Sequence, residues 1–93
     1  GYKLPLKNIR DVQTYAYGQA GMSGIFVFID KENNPSIMKI DYDYNSEDKI
    51  VVKDINLYKN VANNIISSID YNGEMRNFFL IDKDNNYYTF SLN

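Results

Sequence analysis

The 93-residue sequence contains no cysteine, no histidine and no tryptophan. Without cysteine the chain cannot form a disulfide framework or a thiolate metal site. Without histidine it lacks the general base of Ser-His-Asp and Cys-His hydrolases, and it lacks imidazole ligands for zinc or haem. These absences exclude most nucleophilic and metal-dependent enzyme classes.

Long apolar runs and clusters of positive charge are also missing. The longest apolar stretch, 24–29, has the length of a strand, whereas a transmembrane helix needs about 18–20 residues. Ten Lys and Arg stand against 12 Asp and Glu, for a net charge of -2, and the lysines are scattered along the chain. We therefore expect neither membrane insertion nor binding to nucleic acid, whose phosphates attract basic surfaces.

Paired carboxylates are the remaining route to catalysis, because glycoside hydrolysis needs only two suitably spaced acids. Most acidic residues here lie in predicted turns beside Lys or Asn, where carboxylates are solvated and shape the turn. We therefore assign no catalytic residue and no cofactor. A small carboxylate-based hydrolase is the third-ranked hypothesis for function.

What the chain does contain is abundant apolar material, at 44% of residues, with nine tyrosines. This apolar fraction exceeds that of disordered segments, so we expect the chain to fold. Its length corresponds to one domain, 1–93. The same segment occurs twice, since 26–34 matches 78–86 at six of nine positions, 52 residues apart. The domain is therefore predicted to consist of two internal repeats, about 4–55 and 56–93, with Phe26 and Phe78 both buried and Asp30 and Asp82 both ending strands.

Each repeat contains a predicted hairpin. Short apolar runs at 25–29 and 78–81 are followed by Asp- and Asn-rich turns, and then by strands of alternating polarity. A further strand is expected at 49–57, and 3–6 is expected to replace its missing counterpart and close the sheet. The prediction is a mainly β fold, an antiparallel sheet arranged as a meander or small barrel.

An α+β fold is the alternative, as a duplicated α-β-β unit with helices near 5–17 and 56–70. Apolar pairs in 57–69 recur at helical spacing, and Pro5 and Gly18 could begin and end the first helix. Against this, Asn and Ser are weak helix formers, Asn72-Gly73 is a strong hairpin signal, and 12–17 has the composition of a strand.

Calcium is the best small-ligand candidate. Asp82, Asp84 and Asn86 place oxygen atoms at every second position, as the start of a calcium loop does, and the loops 30–34 and 41–45 share this spacing. All three lack the Gly at the sixth position and the bidentate Glu at the twelfth. They therefore remain weak candidates, and turn formation explains the same residues.

Tyrosine is the most suggestive residue type. A core of this size cannot satisfy so many buried hydroxyl groups, and exposed tyrosine provides rigid contact area at a low entropic cost. We therefore expect a protein- or glycan-binding face, formed by Tyr15, Tyr17, Tyr42, Tyr44 and Tyr87, with a protein as the favoured partner. Ordinary strand composition is the alternative explanation, because tyrosine is a favoured β residue.

The second repeat resembles one blade of an RCC1-type β-propeller, through Asn60-Val61, Ile65-Ile66 and 79–90, and 8–12 echoes it. Such blades usually place Gly after the turn Asp and end in Trp-Gly, where this chain has Asn85-Asn86 and Phe90-Ser91. A closed propeller needs at least four blades, and this chain provides fewer than two. The resemblance implies a similar kind of structural repeat, but it identifies no functional residue.

Together these features predict a non-enzymatic binding or interaction module from a bacterial exported or surface protein, with a protein as its partner. The first residue, Gly1, is consistent with processing during export, although a cytoplasmic location is left open. The second hypothesis is a structural fragment of a larger, propeller-like β-repeat array, in which exposed edge strands pair, so that a homo-oligomer could also form.

Overall fold

The structure is a computed structural model that describes residues 3–17, 23–44, 47, 50–72 and 77–91. It contains seven strands, β1 (Ile9–Tyr17), β2 (Ser23–Asp30), β3 (Pro35–Tyr44), β4 (Ile50–Tyr58), β5 (Ile65–Asn72), β6 (Asn77–Asp82) and β7 (Tyr87–Ser91). These described ranges include no helix. The all-β prediction is confirmed, and the α+β alternative with helices near 5–17 and 56–70 is wrong.

The strands form two antiparallel meanders. Sheet A has the order β1-β2-β3-β4 and sheet B the order β5-β6-β7, so sequential strands are neighbours throughout. Over the described residues neither sheet closes into the small barrel that was considered. Residues 3–6 lie outside any strand and do not extend sheet B, so the expected replacement of the missing strand is also wrong.

The segment between the sheets explains why the helical spacing in 57–69 does not produce a helix. Asn60 and Asn64 have left-handed φ angles of 51° and 58°, which an α-helix does not accommodate. The backbone N–H of Val61 donates to the Pro35 carbonyl at 2.9 Å, and that of Ile65 donates to the Asn33 carbonyl at 2.8 Å. These bonds hold the connection against the first hairpin and direct β5 into the second sheet.

The two hairpins have the same register. Phe26 pairs with Met38 in β2 and β3, and Phe78 pairs with Phe90 in β6 and β7. As expected, β2 ends at Asp30 and β6 ends at Asp82.

The first strands of the two repeats, β1 and β5, are not related by the 52-residue separation that relates the hairpins. Ile9 pairs with Asp30 and Ile65 pairs with Asp82, so these equivalent residues lie 56 positions apart instead of 52. A bulge follows each of the two isoleucines. The structural counterpart of Asn8 is therefore Asn64, and both have a φ close to 57°.

The core lies between the two sheets. It consists of fully buried aliphatic and aromatic side chains from both sheets: Ile25, Val27, Ile29, Ile37, Ile65, Phe78 and Leu80. Burying each such side chain contributes about 1.5–3 kcal/mol. The inter-sheet core is thus the main source of stability among the described residues.

Each hairpin has two faces, because successive side chains of a strand point to opposite sides. We call the side that carries Val27 in β2 and Phe79 in β6 the odd face, and the side that carries Phe26 and Phe78 the even face. In sheet A the odd face meets the core, whereas in sheet B the even face does. Phe26 is therefore only half-buried, and the prediction that both phenylalanines are buried is wrong for Phe26.

Candidate interaction surface

Tyr15 is half-buried and packs against the inter-sheet core. Its hydroxyl lies 2.7 Å from the Ser68 Oγ, and its ring meets the Phe78 ring edge-on with centroids 6.3 Å apart. Beside it, the Gln13 side chain accepts a hydrogen bond from the Ser68 N–H at 2.6 Å and donates one to the Ser67 Oγ at 2.8 Å. This polar group joins β1 to β5 at the margin of the core.

Of the other predicted tyrosines, Tyr42 and Tyr87 lie on other faces than Tyr15 does. Tyr42 is half-buried on the even face of sheet A, and a Cβ placed on Gly24 would lie 3.5 Å from its hydroxyl. Tyr87 is 65% exposed on the odd face of sheet B. Tyr17 and Tyr44 lie in β1 and β3, and their side chains are outside the described part of the chain.

Asp82 organises the turn between β6 and β7. Its Oδ1 accepts the N–H groups of Asp84 and Asn86, both at 2.9 Å, and its Oδ2 accepts the Tyr88 hydroxyl at 3.1 Å. Asp30 forms the same turn in the first hairpin, where its Oδ1 accepts the N–H groups of Glu32 and Asn34 at 2.9 Å each.

These hydrogen bonds change the ionisation of the second turn. Burial alone would raise the pKa of Asp82, but the bonds from the N–H groups of Asn86 and Asp84, from the Tyr88 hydroxyl and from the Asn86 side chain together lower it below its ordinary value. The hydrogen bond to Asp82, reinforced by its negative charge, raises the pKa of Tyr88. Tyr88, which sequence reasoning left out of the candidate residues, thus has a structural partner in the turn.

The calcium candidates are arranged for turn formation. Both oxygens of Asp82 already accept hydrogen bonds, and Asp84 and Asn86 contribute their backbone N–H groups to it. In the third loop, the Asp41 Oδ1 accepts the Ser23 hydroxyl at 2.7 Å, and Asn45 lies outside the described residues. A search of the described residues finds no group of three or more acidic side chains placed to hold a metal ion.

The outer edge of sheet A is the most unusual surface of the molecule. Three consecutive apolar residues of β4, Ile50, Val51 and Val52, are 64%, 40% and 55% exposed. They pair with 42–44 of β3 on one side, and none of the described strands pairs with the other side of β4. Apolar side chains therefore lie on both faces of an unpaired edge, which soluble proteins usually protect.

This edge was not among the predicted binding residues, although a signal for it was present. The run 50–52 has no polar alternation, which is typical of a strand covered on both faces. Its exposure became evident only from the strand order, which puts β4 at the margin of the sheet.

A groove of about 500 Å³ lies between the N-terminal segment and the first hairpin turn. Pro5, Leu6 and Ile9 line it together with Asp30, Lys31 and Lys59. Apolar groups and charges of both signs are mixed along its walls, so the lining favours no single ligand chemistry.

Comparison with family models, with curated proteins and with solved structures finds no match to this chain. Within the described ranges, no helix has the length and apolar character that crossing a membrane requires.

Proposed function

We propose that this domain is a non-enzymatic interaction module that binds an extended segment of a protein partner along the edge of β4. The observation that carries the proposal is the exposure of Ile50, Val51 and Val52 on an unpaired edge strand. An edge strand presents backbone N–H and C=O groups that an added strand can pair with.

The side chains on this edge supply specificity as well as area. Ile50 and Val52 point to one face and Val51 to the other, so an added strand would find apolar contacts on both of its sides. Lys53 and Asp54 follow immediately and are exposed, so the apolar segment of the edge ends at Val52. The expected partner is therefore a short extended segment with alternating apolar side chains.

Selection of displayed random peptides for binding to the domain tests this function. We expect enrichment of extended, β-branched sequences whose binding is lost in the double variant Ile50→Lys, Val52→Lys. Val12→Lys is the matched control, because Val12 is 45% exposed on β1, the opposite edge strand of the same sheet. The proposal fails if no peptide is enriched, or if the double variant binds the enriched peptides as the wild type does.

A structural unit of a larger β-repeat array is the second candidate. The equivalent register of the two hairpins favours it, since units that share a register can be stacked in series. Further copies of the pattern in the full-length gene product would support this candidate, and their absence would count against it. We retain a bacterial exported or surface location as part of the proposal, which fractionation of the native source would check.

A further inference from the structure

The contact between the two sheets joins unlike faces. Val27 and Ile29, on the odd face of sheet A, are fully buried in the same core as Phe78 and Leu80, on the even face of sheet B. Phe78 and Leu80 are the register equivalents of Phe26 and Phe28, not of Val27 and Ile29. The internal interface is therefore heterologous: one unit contributes one kind of face and the other unit contributes the other.

A heterologous contact leaves one face of each kind outside the inter-sheet core. The uncovered odd face belongs to sheet B and carries Phe79 and Ile81, both half-buried, and the exposed Tyr87. The equivalents of Phe79 and Ile81 in sheet A are Val27 and Ile29, both fully buried by sheet B.

Tyr87 shows the same contrast more clearly. It pairs with Ile81 as Pro35 pairs with Ile29, yet Pro35 is fully buried and Tyr87 is 65% exposed. The position is covered where a second unit lies on it and open where none does.

The outer even face belongs to sheet A. Phe26 and Phe28 stack on each other there with ring centroids 6.2 Å apart, next to Met38. Phe28 and Met38 are each 7% exposed, whereas at the two edges of this face Val12, Ile50 and Val52 are 45%, 64% and 55% exposed. Phe26, Phe28 and Met38 are the register equivalents of Phe78, Leu80 and Phe90, which form the part of sheet B that packs on sheet A. The even face of sheet A thus carries apolar residues at the same register positions as the even face of sheet B, which packs on an odd face within the molecule.

We propose that copies of this chain stack head to tail, with the odd face of sheet B of one copy against the even face of sheet A of the next. The contact that joins the two sheets within the chain defines the occupant, because it brings together faces equivalent to these two. Terminal units of repeat proteins usually have polar outer faces, whereas both outer faces here are apolar. A heterologous contact that does not close on itself adds copies in series.

Sedimentation velocity over a wide range of concentration tests the stacking. We expect the mean mass of the wild-type chain to rise with concentration and to pass that of a dimer. Tyr87→Lys, on the odd face of sheet B, and Val12→Lys, on the even face of sheet A, should each remain monomeric. An equimolar mixture of the two variants should form a species of two copies that does not grow, because one intact face of each kind remains.

Further variants separate this arrangement from other modes of association. Val51→Lys at the β4 edge should assemble like the wild type, because Val51 pairs with Asp43 on the odd face of sheet A, which is neither of the two stacking faces. Thr89→Lys and Thr14→Lys, which are exposed on the same two faces, replace Tyr87→Lys and Val12→Lys if either fails to fold.

Three outcomes would overturn the proposal. The first is a wild-type chain that stays monomeric at every concentration. The second is a mixture of the two face variants that remains monomeric, which would mean that the interface is not head to tail. The third is an assembly that Val51→Lys abolishes and the face variants leave intact, which would mean that copies pair through their β4 edges.

Discussion

The ring of Tyr15 meets the ring of Phe78 edge-on, at an interplanar angle of 76°, while the Tyr15 hydroxyl reaches the Ser68 Oγ 2.7 Å away. One side chain of sheet A thus makes both an aromatic and a polar contact with sheet B. Ser68 is buried, so loss of its partner would leave a hydroxyl without a hydrogen bond at that point.

Tyr15→Phe should lower the free energy of unfolding by about 1 kcal/mol, because it removes the hydrogen bond and keeps the aromatic contact. Tyr15→Ala should cost about 2–3 kcal/mol, since the packing of this half-buried ring is lost together with the hydrogen bond. Tyr87→Phe is the control and should change the stability by less than about 0.5 kcal/mol, because Tyr87 is exposed. Chemical denaturation followed by circular dichroism measures all three, and equal effects for Tyr15→Phe and Tyr87→Phe would contradict this account.

Phe78→Ala should destabilise the domain more than Phe26→Ala does, although the two residues occupy equivalent register positions. Phe78 is fully buried in the inter-sheet core, and its removal should cost about 3–5 kcal/mol through lost burial and a cavity. Phe26 is half-buried on the outer face of sheet A and should cost about 1–2 kcal/mol.

Because Phe78→Ala could unfold so small a domain, Phe78→Leu and Phe26→Leu provide a milder pair with the same expected order. Denaturation midpoints compare the variants. Equal losses at the two positions would mean that the even faces of the two sheets have the same environment, contrary to the structure.

The stability of the domain should depend on pH through Asp82. Its pKa is lowered in the folded state, so its contribution is fully present above the unfolded-state pKa of about 3.9 and is lost as the pH falls through the folded value. The opposite holds for Tyr88, whose raised pKa gives stability that is present below about pH 10 and is lost at higher pH.

Asp82→Asn isolates the acidic part of this dependence. The stability difference between wild type and Asp82→Asn should shrink as the pH falls below about 4, because the wild-type carboxylate becomes protonated. Asp84→Asn removes a neighbouring exposed charge but keeps the backbone N–H that donates to Asp82. If denaturation curves showed the same pH dependence for both variants, the hydrogen bonds to Asp82 would not be the cause.

Calcium should bind weakly at the turn 82–86. Both Asp82 oxygens accept hydrogen bonds, and a cation would have to displace the N–H donors that hold the turn. Isothermal titration calorimetry with calcium chloride should therefore detect no sub-micromolar site. Sub-micromolar binding that Asp82→Asn abolishes would refute this expectation.

The turns were predictable from sequence because their chemistry is local. An Asp that accepts two N–H groups of its own turn, and an Asn in the left-handed region, need few neighbours to form, so 30–34 and 82–86 could be recognised directly. The strand nature of β2 and β6 was similarly evident from short apolar runs.

The choice of the buried face was not predictable in this way. Phe26, Val27 and Phe28 are all apolar, so the sequence of β2 does not indicate which side meets the core. That choice follows from the packing of the two sheets. The exposure of 50–52 likewise follows from strand order, and the first-strand offset follows from bulges that an ungapped alignment cannot reveal.

Two left-handed asparagines of the hairpin turns provide the final prediction. Asn33 and Asn85 occupy the same turn position, with φ angles of 63° and 66°. Of these two side chains, only that of Asn33 has hydrogen bonds among the described residues, from Arg10 Nε and Nη2 to its Oδ1 at 3.1 and 2.8 Å. Glycine adopts this backbone conformation freely, although it also increases the entropy of the unfolded chain. Asn85→Gly should therefore change the free energy of unfolding by less than about 0.5 kcal/mol.

Asn33→Gly should cost about 1 kcal/mol, because the Arg10 guanidinium loses the Asn33 Oδ1 as an acceptor, while its hydrogen bond to the Ile66 carbonyl remains. A valine at either position should cost about 1–2 kcal/mol more, since a β-branched side chain resists the left-handed region. Denaturation of Asn33→Gly, Arg10→Ala and the double variant forms a cycle whose coupling energy measures the contact. If Asn33→Gly proved as mild as Asn85→Gly, or if the cycle showed no coupling, the hydrogen bonds from Arg10 to Asn33 would not contribute to stability.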